Sequence, residues 1–315
     1  MVSKEIGGFF SLESYGEKQY HKNGILLNSA RNALRYIIQV YSIKEIYAPY
    51  YTCPVIFTAI RKEKCKIIFY DIDKNFTPIG NIPEKPFILY NNYFGICSGN
   101  IRRLLKKHKK IIIDNAQSFF SPASGLACFY SPRKFFGLPD GGIAITNKKI
   151  KRTFEKSISY KRMSHLLMRP DIGAEAAYNE FKKNDSEIDE LHIQEMSILT
   201  KLLMGNINYK TTKIKRCNNF QYLHANLKEM NELPIRINKK AVPMAYPLLI
   251  KKPGLKEYLI GNKIYIPKYW DGLEKVIPTD AFSNYLTNNL LPLPIDQRYG
   301  EKEMKRIVDV INAYN

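Results

Sequence analysis

Ile111-Ile112-Ile113-Asp114-Asn115-Ala116-Gln117 is the stretch from which the rest of the chain can be read. Three β-branched apolar residues in a row describe a strand covered on both faces, as in the middle of a parallel sheet. The end of such a strand faces the crevice where open parallel sheets bind ligands. Here the first polar residue at that end is an acid. A carboxylate drawn into a half-buried position needs a partner, and a protonated pyridine nitrogen is one. By itself Asp114 also suits the cap of a following helix.

Working outward, three more nearly continuous apolar runs precede this one: Glu45-Ile46-Tyr47-Ala48, Lys66-Ile67-Ile68-Phe69-Tyr70 and Phe87-Ile88-Leu89-Tyr90. Helix-like segments at 30–41 and 100–109 lie between them, so the first half predicts an α/β unit with a mostly parallel sheet. After Thr146 the pattern changes. Residues 148–232 read as mostly helical, and from Ile235 a mixed segment follows in which Pro243, Pro247 and Pro253 close off short strands. The end, 301–314, predicts an amphipathic helix with Met304, Ile307, Val308 and Ile311 on one face. The expected organisation is a large domain over 22–228 and a small α+β domain over 229–315, with residues 1–21 packing on the small one.

Two further segments carry chemistry. In Ser131-Pro132-Arg133-Lys134-Phe135-Phe136-Gly137-Leu138-Pro139-Asp140-Gly141-Gly142 a lysine sits beside aromatics and ahead of a Gly-Gly turn. Desolvation there would favour the neutral amine, the form that attacks an aldehyde to make a Schiff base. Ser131, with backbone N–H groups nearby, could grip a phosphate. In Asn28-Ser29-Ala30-Arg31 a small polar turn opens a helix, so Ser29 can cap it while free N–H groups face an anion. An ordinary cap and a solvated loop lysine are the plainer readings of each segment taken alone.

Composition bounds the alternatives. The chain has 315 residues, 45% hydrophobic and 25% charged, which excludes a disordered or collagen-like protein. Lys+Arg is 49 against 29 for Asp+Glu, a net charge of +20 that attracts phosphorylated molecules, nucleic acid or acidic lipid alike. Abundant Lys beside Ile, Asn and Tyr is equally what an AT-biased genome produces. The basic run from Arg102 to Lys110 reads as a solvated helix face, with a nucleic-acid or membrane surface as the competing reading. No recognised nucleic-acid module is present. No run approaches the roughly 18 apolar residues of a membrane span, and the first ten residues do not read as a secretory signal. Five scattered cysteines without a Cys-x-x-Cys pair fit reduced thiols in the cytoplasm. The five histidines are dispersed, and no metal site is expected.

Taken in order, these segments resemble the fold-type I pyridoxal-phosphate enzymes, and among them the DegT/DnrJ/StrS-type sugar aminotransferases. The matching pieces are Asn28-Ser29-Ala30-Arg31, Pro49-Tyr50-Tyr51-Thr52-Cys53, Asp114-Asn115-Ala116-Gln117, and Lys134 followed by Asp140-Gly141-Gly142-Ile143-Ala144-Ile145-Thr146. The likeness runs from about residue 24 to 150 and returns at Pro292-Leu293-Pro294-Ile295-Asp296.

The resemblance implies a homodimer that uses pyridoxal 5'-phosphate to move an amino group, from glutamate, to a keto group of a nucleotide-linked sugar, in surface-polysaccharide synthesis. It implies Lys134 as the Schiff-base and proton-moving residue, and Asp114 on the ring nitrogen. Gln117 would bond the phenolic oxygen, and Ser29, Ala30 and Ser131 the phosphate. Arg31 and Tyr93 would be substrate-binding candidates; apart from the resemblance, the segment 160–189 reads as a lid from which Arg162 or Arg169 could reach substrate phosphates or a glutamate carboxylate. Where the family stacks an aromatic on the cofactor ring this chain has Cys53, for which Tyr51 or Tyr50 is the expected substitute. Ile193-Gln194-Glu195-Met196-Ser197 lacks the residue the family sends to its partner subunit. Another reaction on the same cofactor, such as dehydration, is the nearest alternative, although Lys134 differs from the His of the sugar dehydratases. A non-enzymatic anion-binding protein is the more distant one.

Overall fold

The apolar runs fold as strands because each has a hydrophobic layer on both sides. The computed structural model describes residues 8–16, 19–80 and 82–314. In chain order its strands are β1 (Ile25–Leu27), β2 (Glu45–Pro49), β3 (Lys66–Ile72), β4 (Pro78–Ile79), β5 (Phe87–Asn91), β6 (Ile111–Asn115), β7 (Ala127–Tyr130), β8 (Gly142–Thr146), β9 (Ala245–Leu249) and β10 (Leu290–Pro294). The helices are α1 (Ala30–Tyr41), α2 (Pro54–Lys62), α3 (Ser98–Lys107), α4 (Ser164–Ile172), α5 (Tyr178–Glu190), α6 (Ile198–Gly205), α7 (Tyr209–Leu227), α8 (Leu255–Gly261), α9 (Phe282–Asn289) and α10 (Glu301–Ala313).

Eight strands form one sheet in the order β1-β8-β7-β6-β5-β2-β3-β4. The block from β3 to β7 is parallel, while β8, β1 and β4 run antiparallel to their neighbours. All five residues of β6 are buried. Alternate side chains serve two cores: Leu89, Ile112, Phe129 and Ala144 meet Leu34, Ile37 and Ile60 of α1 and α2. Ile111, Ile113, Tyr90 and Tyr130 face the opposite layer, which includes the C-terminal third. A strand with two apolar layers has no polar positions to alternate, so the triple isoleucine is continuous.

Helix α1 has the bounds its pattern predicts, because Ser29 caps it, its Oγ accepting from Asn32 N at 3.1 Å. A smaller antiparallel sheet pairs β9 with β10, and α10 buries Met304, Ile307, Val308 and Ile311 as expected. Asp71 at the end of β3 joins the two parts by accepting from Phe282 N (2.9 Å) and Ser283 N (3.2 Å) at the start of α9.

Two expectations change. Residues 148–163 contain only one short 3-10 turn, Tyr160–Arg162, before the helices begin. Helix α3 starts at Ser98 and stops at Lys107 because His108 turns to extended backbone. The N-terminal stretch, expected on the small domain, contacts α6 where it is described. Ser14 Oγ donates to Leu202 O (3.1 Å) and Tyr15 N to Asn206 Oδ1 (3.0 Å). The Tyr20 ring lies among Phe119, Phe120 and Tyr209, an aromatic cluster that offers it more apolar contact than solvent would. Residues 1–7 and 17–18 of that expectation lie outside the described residues. Among the described residues no helix is long and apolar enough to cross a membrane, and no three His, Cys, Asp or Glu side chains gather as a metal site requires.

The tightest point is where β8 meets α1. A Cβ on Gly142 would lie 2.1 Å from the Ser29 carbonyl and 2.4 Å from Ala30 N. Gly141 N donates to Asn28 O at 2.8 Å beside it. Gly142→Ala should therefore destabilise the protein by about 3 kcal/mol or more, since backbone must move to admit the methyl. Gly99→Ala, in α3 and with nothing within 4 Å, should instead be neutral or stabilise by up to about 1 kcal/mol. Urea denaturation of both variants checks the contrast.

Candidate functional site

The parallel block ends along one rim of the sheet, where Thr52 and Cys53 follow β2, Asn92 follows β5, Ala116 and Gln117 follow β6, and Ser131 follows β7. The N-terminus of α1 reaches the same rim through the contact of Gly142 with Ser29 and Ala30. The topology thus gathers the sequence's three chemical segments at one place.

Asp114 is buried, and one carboxylate oxygen accepts from Ala116 N at 2.7 Å. Burial pushes its pKa up to about 6, and the Lys134 charge pulls the other way. Gln117 Oε1 accepts from Phe94 N at 2.8 Å, while its Nε2 is buried without a partner. The Tyr51 hydroxyl, Asn91 Oδ1 and Asn115 Nδ2 are likewise buried and unpartnered along the same strand ends. Buried polar atoms are nearly always satisfied, so a row of orphans at a strand-end crevice marks where a polar ligand belongs.

Lys134 closes the short 3-10 turn Pro132–Lys134 and is exposed, contrary to the desolvated lysine expected from its aromatic neighbours. Those neighbours explain it. Phe135 and Phe136 turn inward against Phe119 and Phe120, leaving Lys134 on the rim. Burial raises the Cys53 thiol pKa, and Lys134 and Arg31 oppose the rise while Asp114 adds to it. Lys134, Asp114, Arg31 and Cys53 therefore act on one another electrostatically across one site. Ser131 is buried beside Lys134. At the head of α1 the Ser29 hydroxyl is taken by Asn32 N and the bridge between Ser29 and Gly141 turns the Ala30 amide toward Gly141 O, while among the described residues the Arg31 amide has no acceptor, as the first turn of a helix leaves it.

Several candidates are held differently than expected. Arg31 ion-pairs with Asp185 (3.2 Å) and Asp189 of α5, and Arg133 reaches the same Asp185 at 3.2 Å. Burial pushes the Asp185 carboxyl up, but the two guanidiniums outweigh it and hold it below the usual range. Arg31 is thus a strut between the α1 turn and the Lys134 turn, not a free substrate ligand. Arg162 donates to Ser157 Oγ (3.1 Å) and lies 3.9 Å from the buried Asp140. Asp140 in turn accepts from Ser197 Oγ (2.9 Å), Ser197 N (3.2 Å) and Thr200 at the start of α6. Tyr93 is fully buried and donates to Tyr51 O at 2.8 Å, so it belongs to the core. The Tyr51 ring packs against Tyr93 and Trp270, and Cys53 is half-buried.

Two contributors escaped the sequence reading. Arg216 of α7 is fully buried and donates to Gln297 Oε1 (2.9 Å), Met244 O (3.0 Å) and Phe135 O (3.5 Å). Its guanidinium also lies 4.5 Å from the centre of the Phe135 ring. It anchors the residue after Lys134 to the C-terminal third. Tyr269 interacts electrostatically with Cys53 and stacks on Trp270 at 5.0 Å, bringing aromatic cover from residues 269–270. Neither had a signal, since each is brought in by long-range packing.

These residues fit pyridoxal phosphate. Asp114 has a free oxygen for a pyridinium N–H, Gln117 Nε2 is an unused donor for a phenolate, and the Arg31 amide with Ser131 offers donors to a phosphate. Cys53 is the one departure, giving a sulfur where a flat ring is usual.

No protein-family model matches the chain, and no curated protein matches it by sequence. Its fold, however, is that of solved aminotransferases. A DegT/DnrJ/EryC1/StrS aminotransferase from Brucella abortus superposes with a TM-score of 0.64 at 16% identity, over 92% of this chain and 85% of that one. Spr1654 of Streptococcus pneumoniae, described as a sugar aminotransferase and solved in its PMP form, gives 0.67 at 16% identity over 93% and 86%. PseC of Helicobacter pylori, an aminotransferase of pseudoaminic acid biosynthesis, gives 0.62 at 15% over 92% and 85%. Likeness at this level of identity establishes a shared fold-type I architecture.

Asp114 provides a pH test. In the unliganded protein the folded state keeps its proton to about pH 6, whereas an unfolded aspartate releases it near 3.9. Between about pH 4 and 6 the unfolded state binds fewer protons, so stability falls as pH rises, by about 3 kcal/mol for this group. Asp114→Asn should lack that fall, and the difference in unfolding free energy between the two proteins at pH 4 and pH 7 measures it.

Proposed function

We propose that the protein is a pyridoxal-phosphate-dependent aminotransferase that moves an amino group to a keto group of a nucleotide-linked sugar. The observation that carries this reading is the meeting of Lys134, buried Asp114 and the unpartnered Gln117 Nε2 at the carboxyl ends of the central strands. The fold shared with sugar aminotransferases supports it.

In this reading Asp114 accepts from the ring N–H and is held ionised by that cation, Gln117 Nε2 donates to the phenolic oxygen, and the Arg31 amide with Ser29 and Ser131 binds the phosphate. Bound pyridoxal phosphate supplies an electron sink for the α-carbon of an amino-acid donor. Lys134 Nζ, exposed and without an ion pair among the described residues, takes a proton at that carbon and returns it elsewhere. Asp185 keeps the two phosphate-side turns together through Arg31 and Arg133. Glutamate is the proposed donor, surface-polysaccharide synthesis the proposed setting, and the five free thiols suit a reducing cytoplasm.

Purified protein mixed with pyridoxal phosphate should develop a visible absorption band that borohydride fixes covalently to Lys134. Lys134→Ala should lose the band. Glutamate should bleach the wild-type band, and a nucleotide-linked keto-sugar should restore it. A band that glutamate leaves untouched would favour a different reaction on the same cofactor, and absence of a band would overturn the assignment.

We further propose a homodimer. Tyr160, Leu167, Ile172, Tyr178 and Phe181 are exposed along residues 160–181, an apolar stretch larger than single surface residues usually make. Through Asp185 that region borders the Lys134 turn, so a second copy seated there would flank the site. Light scattering should give twice the chain mass, and Leu167→Glu with Phe181→Glu should shift it to the monomer.

A further inference from the structure

A cleft of about 840 Å³ opens away from the Lys134 site, between the β3–β4 turn, one face of α3 and residues 233–236. Five cations line it: Lys74, Arg102, Arg103, Lys106 and Arg236. The one carboxylate among them, Asp73, is occupied by its own turn, its Oδ1 accepting from Asn75 N and Thr77 N at 2.8 Å each. Arg103 bonds to Asn100. Among the described residues Lys74, Arg102, Lys106 and Arg236 make neither an ion pair nor a side-chain hydrogen bond. Lys106 stands four residues after Arg102 and three after Arg103, so it neighbours both on the surface of α3 and repels each.

Solvated lysines scattered over a surface would not converge in this way. Here cations from three separate segments face a concave space of ligand size, and Phe76, Ile96 and Ile235 add apolar walls. Phe76 stacks on Tyr93 at 5.0 Å, and Tyr93 on Tyr51 at 5.7 Å. This file of three rings runs from the wall of the cleft to Tyr51, two residues before Cys53. No residue that lines the cleft takes part in the site around Lys134.

We propose that this cleft binds the diphosphate group of a small phosphorylated molecule. Two adjacent phosphates match several converging guanidinium and ammonium groups, which form their strongest hydrogen bonds with such oxyanions. The apolar walls suit the organic part of the same molecule. A concave, half-open shape with apolar walls favours a small molecule over a nucleic-acid backbone, which tracks an extended basic surface.

Calorimetric titration of the full-length protein with inorganic pyrophosphate tests the proposal. Arg102→Glu combined with Arg236→Glu, both exposed side chains, should weaken binding about a hundredfold, about tenfold for each lost contact. Ser131→Asp, which places a carboxylate in the α1 cradle instead, should leave it unchanged. Competition by a nucleoside diphosphate and by a nucleotide-linked sugar then tells whether the diphosphate arrives free or carrying a sugar, and displacement by either supports the cleft. Binding lost in Ser131→Asp but kept in the double variant would assign the anion to the cradle and overturn the proposal. So would the absence of pyrophosphate binding, or tighter binding of an oligonucleotide through the same two arginines.

Discussion

The approach of Gly142 to the backbone of Ser29 and Ala30 is the constraint on which the site depends. A methyl group there has no room, because the nearest atoms belong to peptide units and not to a flexible side-chain end. Through this contact the antiparallel strand β8 presses the head of α1 against the sheet rim, and Gly141 N holds Asn28 O in place. A helix N-terminus is a useful anion site only where its amides face a defined space. Here that space is shared with the ends of β6 and β7, so the donors of α1 and the side chains Asp114 and Lys134 address the same volume.

Around that contact the chain uses buried cations as struts. Asp185 ties Arg31 of the α1 turn to Arg133 of the Lys134 turn, and Asp140 ties the loop before β8 to α6 while Arg162 approaches it. Arg216 goes further, hydrogen-bonding carbonyls and an amide, and burial brings its pKa down to about 10 against the opposing charge of Asp296. A guanidinium can serve several carbonyls at once because its donors are fixed in a plane. It thereby locks Phe135, and with it the position of Lys134, to the C-terminal third. Support of this kind fixes the backbone beside Lys134 while its side chain stays exposed.

The central architecture was legible wherever local sequence and burial agree. Ile111-Ile112-Ile113 reads as a strand because both faces are covered, and α1 reads with its correct ends because Ser29 is a cap and Ala33, Leu34, Ile37 and Ile38 lie on one side. The Asp114-to-Gln117 spacing and the Gly141-Gly142 pair were legible for the same local reason. What could not be read depends on distant partners. Arg216 sits in a Lys-rich helix that looks solvated, and only the fold brings Phe135, Met244 and Gln297 to it. Tyr93 read as a ligand from its loop after the third strand and Arg162 from its lid-like segment, yet Tyr51 O engages one, and Ser157 and Asp140 engage the other. Tyr20 packs among Phe119, Phe120 and Tyr209, an aromatic cluster assembled from distant segments that residue spacing does not encode.

The net charge of +20 acquires meaning only when its members are separated by environment. Arg31, Arg133, Arg162 and Arg216 are largely buried and have oxygen partners, so they report on architecture. Lys66 and Lys305 are exposed and paired with carboxylates at about their own helix or strand neighbours, contributing little in water. Lys74, Arg102, Lys106 and Arg236 belong to neither group: they converge without carboxylates on a concave surface. A genome's codon bias can raise the number of lysines, but it has no means of aiming cations from three separate segments into one cleft. That arrangement carries an electrostatic cost in the folded protein, and an anion bound among them is the direct way to offset it.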